Sequence, residues 1–214
     1  MTEALEAVEG FLALGGPVVA ILLAMSMLAL ALVLVKFLQF QRAGVGNHVA
    51  LVAALNQADQ GATEAALRHA EMSRTHLAPL AMLALGVEGS SEAARARLTG
   101  LAEEALARLQ AGFRLLDSIA QIAPLLGLFG TVLGMIAAFQ ALQEAGQNVD
   151  PAELAGGIWV ALLTTAMGLG VAMPTALALT WLESRVAREA RLAMQIIDVA
   201  LCRGLAQSAG RADG

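Results

Sequence analysis

The sequence predicts an all-α integral membrane protein with three transmembrane helices and long helical cytoplasmic extensions. Three observations predict it. Hydrophobic residues make up 58% of the chain and charged residues only 14%, whereas soluble domains run near half apolar and a quarter charged. Three apolar runs are each long enough to cross a bilayer, which takes about 20 residues at 1.5 Å rise per residue. The basic residues gather on one side of those runs.

The elements follow in order. Residues 1–16 form an N-terminal tail that opens "MTEALEAVEG", acidic and free of Lys and Arg. A secretory signal opens with positive charge, so the first span, 17–40, is expected to stay in the mature protein. That span contains "PVVAILLAMSMLALALVLV" from Pro17 to Val35. Residues 41–117 form a polar helical insertion rich in Ala, Leu, Glu and Arg. Breaks are expected near "GVGN", Gly61, Pro79 and "GVEGSS". Its last part places Leu98, Leu101, Leu106, Leu109, Phe113 and Leu116 at helical spacing. "SSEAA" supplies a cap with an acid in the first turn, and this helix is expected to run straight into span two.

Span two covers 118–142, an outer loop 143–153, and span three 154–182. The third span is about 29 residues, or roughly 43 Å at the helical rise, so it tilts or projects beyond the lipid. Residues 183–214 continue as a helix and tail, with Val186, Ala190, Ala193, Ile197 and Ala200 on one stripe. All 13 Lys and Arg residues lie at the inner end of span one (Lys36), between spans one and two, or after span three. The tail and the loop "QEAGQNVDPAE" hold acids but no bases. By the positive-inside rule the N-terminus lies outside and the C-terminus is cytoplasmic.

The spans carry two unusual features. Gly127, Gly130 and Gly134, with Ala138 and Ala141, form a small-residue stripe on span two. Gly157, Ala161, Thr164 or Thr165, Gly168 and Ala172 form its counterpart on span three. Such stripes let helices approach closely in lipid and point to a tight bundle or an oligomer. Thr131 and Thr165 each lie about 15 Å from the outer end, near the bilayer midplane. A hydroxyl there either lines a polar path or bonds a carbonyl of its own helix.

Neither span two nor span three has an Asp, Glu, His, Lys or Arg in its interior. Threonine does not titrate near neutral pH, so any proton relay needs an acid from another chain.

Other chemistries are excluded. The single cysteine, Cys202, rules out an internal disulfide or a multi-cysteine metal site and reads as helix packing. His48, His69 and His76 lack metal-ligand spacing and read as solvated; no metal and no cofactor is expected. "HAEMSRTH" lacks the spacing of a metalloprotease, and no span holds a Ser–His or Asp pair, so the chain is not read as an enzyme. The net charge of −5 gives no nucleic-acid signature.

At these residues the sequence resembles the MotA/TolQ/ExbB proton-channel family. "APLLGLFGTVLGMIAAF" is similar to its second-span signature and "GGIWVALLTTAMGLGVAMPTALAL" to its third. The three-span topology resembles the ExbB and TolQ branch rather than four-span MotA. The resemblance implies a homopentamer in membrane lipid around single-span ExbD- or TolR-type partners. The partner supplies an Asp, and Thr131, Thr164 and Thr165 line its proton pathway. The assembly would deliver work to a TonB- or TolA-type transducer. Pro124 and Pro174 fall within the two motifs and are assigned with the glycines to helix packing. Many ExbB-like and TolQ-like members carry Glu where this chain has Val160, which raises the alternative of a non-conducting scaffold.

Overall fold

The computed structural model describes residues 2–87, 91–145 and 151–212. Among them the secondary structure is all α: α1 (Thr2–Arg42), α2 (Val49–Asp59), α3 (Thr63–Met72), α4 (Ala78–Gly86), α5 (Glu92–Gln110), α6 (Phe113–Ala145) and α7 (Pro151–Ala212). Three stretches are long and apolar enough to cross a membrane: Gly16–Arg42, Phe113–Glu144 and Leu154–Cys202. Of the segment 143–153 expected as the outer loop, residues 146–150 lie outside the described residues. The end of α6 and the start of α7 occupy the rest.

The chain divides into two units. The first comprises Met1–Leu34 and Gly112–Thr180. Within it α1 is kinked at Gly16, where φ is 60° and ψ −156°. Glycine tolerates that conformation, and Pro17 beside it has no N–H to continue the ladder. Beyond the kink, Val18 and Leu22 of α1 pack on Ala123 of α6 and Ala172 of α7. Only 22% of the most apolar window of each span is buried within the chain. Side chains such as Leu125, Phe129, Ile136 and Phe139 on α6, or Trp159, Leu162 and Leu177 on α7, are exposed. Those faces require lipid or other apolar surfaces around them.

The second unit comprises Val35–Ala111 and Trp181–Gly214. Leu51 and Leu55 of α2, Leu80 and Leu85 of α4, Leu98 of α5 and Ile196 and Ile197 of α7 share one buried core. Each large side chain buried this way contributes about 1.5–3 kcal/mol against exposure. Glycines make the turns between its helices: Gly44, Gly46 and Gly61 all have positive φ. They fall at the breaks expected near "GVGN" and at Gly61. α4 begins at Ala78 with Pro79 in its first turn, where proline's missing N–H costs nothing. The cap expected from "SSEAA" is present, with the Ala94 N–H donating to Ser91 Oγ at 3.1 Å. Lys36 Nζ donates to the Leu109 carbonyl at 3.2 Å, setting a cation at the negative end of α5.

Two expectations are corrected here. α5 does not run into span two: it stops at Gln110, and Gly112 turns the chain at φ 87°. The Gly112 carbonyl then accepts the first N–H groups of α6, from Leu115 and Leu116. A residue with no Cβ enters that left-handed conformation without strain, so helical periodicity on both sides hides a break. Cys202 is exposed rather than packed. The third span does continue outward, since α7 is one helix of 62 residues. Its contour, about 93 Å at the helical rise, is about three times the hydrocarbon thickness.

Candidate ion-pathway site

The two small-residue stripes face each other within one chain. A Cβ placed on Gly127 would lie 2.9 Å from the Thr164 carbonyl oxygen and 3.1 Å from the Thr165 Cα. One on Gly168 would lie 2.6 Å from the Ala123 carbonyl oxygen and 3.0 Å from the Gly127 Cα. Toward the C-terminal end of α6, Gly134 meets Ala161 and Gly157 meets Ala138. The backbones of α6 and α7 therefore touch, which side chains at these positions would forbid. The stripes are consumed inside the subunit, so they no longer argue for contacts between copies.

Threonine hydroxyls bridge this seam. Thr165 Oγ1 donates to the Gly127 carbonyl at 3.1 Å. Thr164 Oγ1 lies 3.3 Å from the same carbonyl and 2.7 Å from the Ala161 carbonyl of its own helix. One hydroxyl has one proton, so the shorter bond takes it for most of the time. Thr164 is 2% exposed and also fills the space opposite Gly130.

The structure thus brings Thr164, Thr165, Gly127, Gly130 and Gly168 together. Thr131 is placed otherwise: its Oγ1 donates to the Leu128 carbonyl at 2.6 Å, within its own helix. Val160 is half-buried on α7, one turn before Thr164. Pro124 is half-buried inside α6. Pro174 is exposed and lines a cleft of about 210 Å³ with Ser26, Ala29 and Val33 of α1. The Gly127 carbonyl was not legible as an acceptor, because only the packing of α7 makes it one.

A second polar cluster lies in the other unit and corrects the reading of the histidines as solvated. Glu189 on α7 is 1% exposed. Its Oε1 accepts the Gly46 N–H at 3.0 Å and lies 3.0 Å from His48 Nε2. His76 Nε2 stands 3.8 Å from Glu189 Oε2, and the His48 and His76 side chains are only 24% and 13% exposed. Burial pushes the His76 imidazole below its ordinary value, against the Glu189 charge and the Ala43 carbonyl, which raise it; His48 adds to the lowering. His69 is half-buried on α3. One sign of this cluster was in the sequence: Glu189 interrupts the apolar stripe from Val186 to Ala193.

Three membrane-length helices, two of them sealed by a glycine seam with bridging hydroxyls, define a multi-pass membrane protein of the transport class. The chain belongs to the MotA/TolQ/ExbB proton channel family, whose profile matches residues 56–195. Proteins of this family are channel and stator subunits rather than enzymes. The chain is 39% identical over 108 residues to an ExbB-like biopolymer transport protein of Synechocystis, covering 50% of this chain and 41% of that protein. It is 46% identical over 67 residues to the biopolymer transport protein exbB1 of Vibrio cholerae, covering 31% and 29%. To the Tol-Pal system protein TolQ of Haemophilus influenzae it is 44% identical over 71 residues, covering 33% and 31%. The matched part thus spans between 29% and 41% of each relative's length.

Proposed function

We propose that the chain is the proton-channel subunit of an inner-membrane energy transducer, with its N-terminus periplasmic and its C-terminus cytoplasmic. Five copies surround an ExbD- or TolR-type single-span partner, whose Asp carries the proton past the α6–α7 seam. Proton flow then does work on a TonB- or Tol-type periplasmic system. One observation carries this reading: spans two and three, over 118–142 and 154–182, hold hydroxyls at mid-depth and no ionisable group. Such a pathway can solvate or position a partner's acid but cannot relay a proton alone. The exposed apolar faces of α6 and α7 support the ring, since each needs a neighbour or lipid.

Substitution of the hydroxyls tests the pathway. Thr165→Val keeps the shape and deletes the bond to Gly127, worth about 1 kcal/mol in a membrane. The variant is expected to assemble normally and to lose growth that depends on the energised outer-membrane system. Normal growth of a Thr164→Val, Thr165→Val double variant would assign both hydroxyls to packing alone.

A non-conducting scaffold is the second reading, favoured by Val160 and by the use of both hydroxyls in bonds to carbonyls. Proton flux into liposomes carrying a pH-sensitive dye separates the two. Wild-type chain alone is expected to be silent and to conduct once the partner is added. Val160→Glu should equal or exceed that flux with the partner and stay silent without it, because a carboxyl in the outer third of a span is met by protonation or water. Silence of the wild type with the partner present would establish the scaffold. Leakage through the chain alone would break the argument from missing acids.

A further inference from the structure

We propose that Glu189, His48 and His76 form a proton-operated clasp: uptake of a proton at His76 releases the segments 43–48 and 73–77 from α7. The cluster joins three stretches far apart in sequence. α7 contributes Glu189 and Arg185, the connection after α1 contributes the Gly46 N–H and His48, and the α3–α4 connection contributes His76. A second tie runs between the two connections themselves, where the His76 N–H donates to the Ala43 carbonyl at 3.0 Å.

The carboxylate is shared unequally. Oε1 takes the Gly46 N–H and His48, while Oε2 is buried with no hydrogen-bond partner. At 3.8 Å the His76 Nε2 is too far from it for a hydrogen bond. Both ring nitrogens of His76 are buried and unpartnered. A proton on this ring would create a cation whose nearest acceptors are the Ala43 carbonyl, which already takes the His76 backbone N–H, and Glu189 Oε2, which lies beyond bonding distance. It would arrive beside His48, in a cluster that already holds the Arg185 guanidinium, whose Nη1 would lie 3.1 Å from a Cβ on Gly46. The free carboxylate oxygen, Glu189 Oε2, comes within bonding reach of His76 only if the segment itself shifts. Opening the segment to water is the simpler way to accommodate the new charge.

The ring nitrogens are buried, but the residue stands at the wall of a cleft from which a proton can approach. This cleft, of about 340 Å³, is shared with Gln39, Pro79, Leu80, Leu101 and the charged pair Glu104 and Arg108. The direction of the effect follows by linkage. The closed clasp holds His76 below the ordinary histidine value of about 6.5. Between the closed value and about 6.5 the open form binds more protons, so closure strengthens as pH rises. Its stability is complete above about pH 6.5 and is lost as pH falls through that value toward the closed-state one.

Hydrogen exchange of the full-length chain in detergent, corrected for intrinsic rates, tests the clasp at about pH 7.5 and about pH 5.5. The Gly46 amide, held by Glu189, is expected to lose up to about tenfold protection at the lower pH, the ceiling for a measurement one pH unit below the ordinary histidine value. Helix α5 should keep its protection. His76→Gln, which never titrates, should reduce the change at Gly46 to less than about twofold. Protection at Gly46 that ignores pH in the wild type, or falls equally in His76→Gln, overturns the proposal. An NMR titration of the wild-type His76 ring covers the case of a variant that does not fold. A midpoint below about 6.5 supports the clasp and one above it refutes it.

Discussion

Gly168→Ala should separate α6 from α7 and leave little folded protein. The new methyl would lie 2.6 Å from the Ala123 carbonyl oxygen, with Gly127 Cα at 3.0 Å and Gly127 N at 3.2 Å. All three are backbone atoms, so no rotamer change relieves the clash and the helices must move apart. Overpacking commonly costs about 1–3 kcal/mol where side chains can yield; a backbone clash belongs at or above the top of that range. Loss of the seam also removes the Thr165 bond to Gly127. Gly127→Ala should act similarly, because it too meets backbone. Gly156→Ala and Gly170→Ala supply the contrast: nothing lies within 4 Å of either added methyl. There the helix gains up to about 1 kcal/mol of propensity. Melting temperatures and folded yields in mild detergent should fall into these two groups. A Gly168→Ala protein that melts with the wild type would mean that the backbones do not touch.

Glu189→Ala should be the most damaging single change in the second unit. It leaves the Gly46 N–H without its acceptor and His48 without its anion, and it opens a cavity beside a core that includes Ala193 and Ile196. Leaving a buried donor without its acceptor costs about 1–3 kcal/mol. The lower end applies here, since His48 is 24% exposed and water can reach it. Glu189→Gln should lose less, because its amide oxygen can still accept from Gly46. Thermal unfolding at about pH 7.5, above the range in which His76 takes up its proton, measures the stability effect apart from the clasp. Equal melting of the Ala and Gln variants would show that charge rather than hydrogen bonding holds the site.

The contrast between these two sites explains what sequence reading could reach. Apolar run length decides whether a helix can cross a membrane, and it depends only on neighbours along the chain. The three spans were therefore legible, as were the turns at Gly44, Gly46 and Gly61 and the Ser91 cap. Each rests on local backbone chemistry: a missing Cβ, or a hydroxyl within three residues of an N–H. Gly112 is the exception among local features, because apolar periodicity continued through it and masked its left-handed turn.

The partner of each face was not legible. The glycine stripes are equally suited to a second copy and to another helix of the same chain. Only the packing of α6 on α7 turned Gly127 and Gly168 into an internal seam and Gly127's carbonyl into an acceptor for Thr165. His48, His76 and Glu189 are separated by dozens of residues, and isolated polar side chains in a charged segment look solvated. Their burial arises when α7 closes over the two connections, an arrangement of long-range contacts that periodicity along the chain does not encode.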